Sequence, residues 1–60
     1  MSIGANIRRL REERCLTQER IADELDVSFQ AVSSWERDEY KPDLDKLFNW
    51  LKFLMYHYLP

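Results

Sequence analysis

Apolar residues recur along this chain at helical rather than alternating intervals. Ile3, Ile7 and Leu10 stand at i, i+4 and i+7, one face of a 3.6-residue turn. Ser2 just before them is a good N-cap, so a first helix is expected to start after it. The segment CLT breaks the pattern, and Thr17 is placed to cap a second helix over QERIADEL, with Ile21, Ala22 and Leu25 on its inner face. Asp26-Val27 makes a short turn. Ser28 then caps a third helix that ends near Glu36 and turns Val32 and Trp35 inward. RDEYKP is the longest loop, closed by Pro42, and Asp43 caps a fourth helix from Leu44. No strand pattern, internal repeat or linker interrupts this order. The expectation is an all-α fold, a bundle of four or five helices, with Leu10, Ile21, Leu25, Val32, Trp35, Leu47 and Leu51 in its core.

The fourth helix is apolar on two sides. Leu44, Leu47, Phe48, Leu51, Leu54, Met55 and Tyr58 form one stripe, and Trp50, Phe53 and His57 form another. The first is expected to cover the domain's own core. The second needs something else to bury against, and a second copy of the chain would serve, giving a homodimer through Trp50, Phe53 and His57. A loosely packed tail, or a C-terminal strand pairing across a dimer, is also compatible with the pattern.

Composition narrows the function classes. Sixty residues make one domain, 1–60, which buries only about 60% of its unfolded surface. A partner subunit would therefore aid stability. Cys15 is the single cysteine, so no internal disulfide forms and a reducing, cytoplasmic setting is expected. The start MSIGANIRRLREER has no apolar signal-peptide core, and LFNWLKFLMYHYLP is too short and interrupted to span a bilayer. The net charge of −2 argues mildly against a polyanion, but charges are unevenly placed, and net charge does not set the sign of one face. Arg8, Arg9, Arg11 and Arg14 cluster early, while Arg37 and Lys41 flank the third helix. Catalysis has little to stand on. His57 is the only histidine and Gly4 the only glycine, with no ligand spacing, phosphate loop or nucleophile–base pair. No metal and no cofactor are expected.

The two short helices around Asp26 carry the most information. Ala22 is small where two helices would cross, Asp26 sits at the turn, and Val32 and Trp35 face inward. That spacing is the pattern of a helix-turn-helix, whose second helix enters a major groove; a plain antiparallel hairpin shares it. The outer face of the third helix carries Ser28, Phe29, Gln30, Ser33 and Ser34 in place of the usual Glu, Lys and Arg. A neutral amide-and-hydroxyl face fits base edges. Gln30 is the best base reader, since an amide pairs with adenine N6 and N7, and Phe29 could pack on a thymine methyl or serve as a core or subunit contact. Ser33 and Ser34 could reach a base, a phosphate, or neither.

Together, IRRLREER, LTQERIADELDVS and VSSWERDEYKPDLDKL resemble the Cro/C1-type helix-turn-helix domain, or XRE family, of phage repressors and bacterial regulators. The resemblance spans residues 3–51 and leaves 52–60 as a C-terminal extension. It implies a lambda-repressor-like fold, sequence-specific binding of double-stranded operator DNA, transcription regulation, and usually a dimer. By position it implies base contacts from Ser28, Phe29, Gln30, Ser33 and Ser34. Phosphate contacts would come from Gln18, Arg37, Tyr40 and Lys41, with Arg9 a weaker candidate. Arg11 and Glu36 match a partly buried structural salt bridge. The chain departs from the family at Cys15, Asp26 and Asp38, where glycine is frequent, and at Ser34, where a longer polar side chain is common. The other function class open to it is a protein-interaction or antitoxin-type module acting through the aromatic C-terminal helix.

Overall fold

The computed structural model describes the backbone of residues 2–58 and the side chains of residues 2–56. Four helices follow one another: α1 (Ile3–Glu13), α2 (Gln18–Leu25), α3 (Phe29–Glu36) and α4 (Leu44–Tyr58). No strand occurs among the described residues. Each helix starts at a side chain that accepts a hydrogen bond from a free N–H of the first turn. Ser2 Oγ accepts from Ala5 N at 3.0 Å, and Thr17 Oγ1 from Arg20 N at 3.0 Å. Ser28 Oγ accepts from Ala31 N at 3.2 Å, and Asp43 Oδ1 from Lys46 N at 2.9 Å.

The ends of the first three helices share one device. Cys15, Asp26 and Asp38 adopt left-handed backbone, with φ of 57°, 57° and 60°. The residue after each donates its N–H back across the last turn. Leu16 N reaches Arg11 O at 3.0 Å, Val27 N reaches Ala22 O at 3.0 Å, and Glu39 N reaches Ser34 O at 3.0 Å. These are Schellman closures, which normally carry glycine at the left-handed position. None of the three has it here.

Ile21 and Val32 are fully buried at the centre, surrounded by Ile7, Leu16, Ala22, Leu25, Trp35, Trp50, Phe53 and Leu54. Leu10, Val27 and Ala31 pack on the edge. Helix α1 lies against α3, and α2 packs on both α3 and α4. Gly4 makes the first of these contacts possible. A Cβ there would lie 2.1 Å from the Trp35 carbonyl oxygen, closer than any side chain tolerates. Its N–H donates to Asp38 Oδ1 at 3.2 Å, tying the start of α1 to the end of α3.

Helix α4 is rotated relative to the sequence expectation. Trp50 and Phe53, expected to face a second subunit, are 3% and 6% exposed in the chain's own core. Leu51, expected inside, is exposed, as are Leu44, Phe48 and Met55. Leu47 is half-buried. His57 and Tyr58 belong to the two expected stripes, but their side chains lie outside the described residues. The physical reason is what α2 offers. Lys46 Nζ donates to the Leu25 carbonyl at the end of α2, 3.1 Å away. The Arg20 guanidinium lies over the Phe53 ring, 5.6 Å from its centre. Trp50 and Phe53 stack with centroids 6.2 Å apart and planes 14° off parallel. Large aromatics bury the most apolar area, so the face that carries them is the better one to turn inward.

Candidate nucleic-acid interface

Helix α3 turns Val32 and Trp35 into the core, which leaves its N-terminal, outward quarter to Ser28, Phe29 and Gln30, all exposed. Ser33 is half-buried one turn on. No charged side chain lies among these four. Gln30 is exposed, and Phe29 keeps nearly half its surface in solvent.

Ser34 does not belong to this face. It is buried, and its hydroxyl donates to the Ala31 carbonyl at 2.7 Å. Its carbonyl takes part in the helix closure, accepting from Glu39 N. A serine is short enough to bond its own helix in this way. The base contact expected of Ser34 is therefore corrected to a structural role.

The side chains expected at phosphates are differently engaged. Tyr40 and Lys41 project from the α3–α4 loop and are exposed. Arg37 is held by its own neighbours: its Nε donates to the Glu39 carboxylate and its Nη1 to Ser33 Oγ. The hydrogen bond from Arg37 is the chief reason the Glu39 carboxyl sits below its ordinary pKa, and the same bond raises Arg37. Arg9 pairs with Glu13 one turn away at 3.2 Å on the exposed side of α1. The sequence reading missed Glu39, whose only signal was an acid two places after a candidate phosphate-binding arginine.

Behind the face lies a buried ion pair. Arg11 Nε and Nη2 donate to the two oxygens of Glu36 at 2.7 and 3.0 Å, a two-pronged geometry that only arginine offers. Arg11 Nη1 also donates to the Leu16 carbonyl at 2.9 Å. The side chains are 13% and 4% exposed, and the hydrogen bond to Glu36 is the main cause of the raised Arg11 pKa. Gln18 joins them, its Nε2 donating to Glu36 Oε1 at 3.0 Å. One carboxylate thus links α1, the start of α2 and the end of α3. It fixes the angle between the two helices of the motif and leaves the second amide hydrogen of Gln18 for another acceptor.

Two comparisons with known proteins bear on this geometry. A family profile described as helix-turn-helix matches residues 7–56. A 47-residue stretch is 38% identical to the immunity repressor protein of Bacillus phage phi105, covering 78% of this chain and 33% of that protein. The chain therefore spans about a third of the length of this relative. No solved structure matches the chain. No described helix is long and apolar enough to cross a membrane.

Proposed function

The chain belongs to the Cro/C1-type helix-turn-helix family, and from that premise we propose that it binds double-stranded DNA sequence-specifically as the operator-reading domain of a transcriptional repressor. The observation that carries this reading is the uncharged face of α3, with Ser28, Phe29 and Gln30 exposed and Ser33 half-buried one turn on, set beside the cations of the following loop. Neutral donors and acceptors read base edges, and flanking cations hold the phosphates that fix register. Gln30 is assigned to adenine N6 and N7, and Phe29 to a thymine methyl. Ser28 and Ser33 fill the remaining reach. Lys41, Tyr40, Arg37 and the α2 N-terminus with Gln18 are assigned to phosphates, with Arg9 outside them. The helix dipole at Gln18 favours an anion there. The DNA-bound unit is a homodimer, because two recognition helices about 34 Å apart meet successive major grooves on one face of the duplex. Operator occupancy then excludes the transcription machinery, and the work is done in the cytoplasm.

Selection of bound duplexes from a random pool, at two salt concentrations, tests the reading. A single enriched sequence is expected. Gln30→Ala should lose about 1–3 kcal/mol on that sequence and little on random DNA. Lys41→Ala should weaken both alike and flatten the salt dependence by about one unit of slope. Identical behaviour of the two variants on selected and random DNA would remove the division between base and phosphate contacts.

A further inference from the structure

The exposed side of α4 has a symmetry of its own. Leu44, Phe48, Leu51 and Met55 are between 49% and 68% exposed. At 3.6 residues per turn they fall within an arc of about 60°. Their spacing reads the same from either end. Phe48 and Leu51 are equally far from a midpoint between residues 49 and 50, and so are Leu44 and Met55. One flank of the stripe carries the charged pair Asp45 and Lys52, both exposed. Neither is in an ion pair among the described residues. The other flank is Leu47 and Leu54, which turn toward the chain's own core.

We infer that this face is the contact with a second copy of the chain, in which two α4 helices cross antiparallel about a two-fold axis passing between residues 49 and 50. The inference rests on the homodimer reading above and moves its contact from Trp50 and Phe53 to the opposite side of the helix. The charges select the arrangement. An antiparallel two-fold lays like flank against like flank, so Asp45 of each copy meets Lys52 of the other, twice per dimer. The axial offset between them is about 3 Å at 1.5 Å per residue, within reach of a lysine stem. A parallel pair would instead set Asp45 and Lys52 against the apolar flank of the other copy, where neither finds a partner. The antiparallel pair also brings Phe48 of one copy onto Leu51 of the other and closes Leu44 against Met55. The stripe is shorter than a standard interface, which takes about 800 Å² from each partner, so association of the free protein is weak and is completed on DNA.

Charge exchange between two variants tests the register without any DNA. Sedimentation of the full chain up to millimolar concentration should show reversible dimerisation. Asp45→Lys alone sets lysine against lysine, and Lys52→Asp alone sets aspartate against aspartate. Each should weaken self-association about tenfold, because an exposed pair changes sign at two places in the dimer. Mixed in equal amounts, the two variants should recover the association of the wild type, since both cross-pairs are then opposite in sign. Phe48→Ser should give a folded monomer by circular dichroism and sedimentation. A wild type that stays monomeric throughout would overturn the inference and give the face to a different protein. A mixture no tighter than its components would overturn it too, as would unchanged association of Phe48→Ser. Sequence preference of the Phe48→Ser monomer for a single half-site, lost on adding Gln30→Ala, reports on DNA reading separately, so the two ideas can fail independently.

Discussion

Three left-handed residues in closely matched backbone settings give a controlled comparison. Cys15, Asp26 and Asp38 have φ within three degrees of one another and the same closing hydrogen bond, but different side-chain surroundings. A left-handed conformation costs an L-residue about 1–2 kcal/mol, and less for aspartate. Glycine removes that cost and regains freedom in the unfolded chain worth about 0.5–1 kcal/mol against folding. Cys15→Gly should therefore stabilise the domain by about 0.5–1 kcal/mol, since the thiol is exposed. Asp26→Gly should gain somewhat less. Asp38→Gly is different, because the Asp38 carboxylate accepts the Gly4 N–H, and a lost cap costs about 0.5–2 kcal/mol. Its net change is expected between zero and about 1 kcal/mol destabilising. Urea unfolding followed by far-ultraviolet circular dichroism, with unchanged m-values, measures all three. Equal gains at the three positions would refute a stabilising role for the Gly4–Asp38 hydrogen bond. A loss at Cys15 would refute the cost assigned to its left-handed backbone.

Arg11→Met leaves a buried carboxylate without its charge partner and should cost about 3–5 kcal/mol, much of the stability available to a domain of this size. The double variant with Glu36→Met should recover most of that loss in the same unfolding assay. Gly4→Ala forces a Cβ toward the Trp35 carbonyl, and the resulting shift of α1 should cost about 1–3 kcal/mol. Trp50→Ala should destabilise the fold by about 3–5 kcal/mol, read by thermal unfolding, rather than release a stable monomer. Glu39→Gln frees Arg37 and should tighten binding to all duplexes alike at neutral pH, steepening the salt slope by about one. Because Arg37 depresses the Glu39 pKa, the pair persists above the ordinary carboxylate range. It is lost only as pH falls through the lowered value, where wild type and variant should converge in a salt-titrated binding assay.

Most of the helical framework was legible in the chain because it is locally encoded. Ser2, Thr17, Ser28 and Asp43 are short acceptors one position before an apolar periodic run, and each caps the helix that follows. The inner residues of α2 and α3 were legible for a related reason. Those helices have one apolar face each, so Ile21, Leu25, Val32 and Trp35 had one way to turn. The outward placement of Ser28, Phe29 and Gln30 follows from the same rotation.

Tertiary structure decided what periodicity left degenerate. Helix α4 is apolar around most of its circumference, and spacing cannot say which half faces in. Contacts from α2 chose, through the Leu25 carbonyl that receives Lys46 and the guanidinium of Arg20 over Phe53. Ser34 has the same residue type as Ser28 and Ser33, yet it is buried with its hydroxyl on the Ala31 carbonyl. Gly4 reads locally as a weak first turn, and Asp38 as an unwelcome charge near phosphates. Only the approach of α1 to the end of α3 makes the first necessary and gives the second a donor. Local hydrogen bonds and one-sided helices are written in neighbouring residues. The rotation of a two-sided helix and the partner of a distant carboxylate depend on residues 20 to 40 positions away.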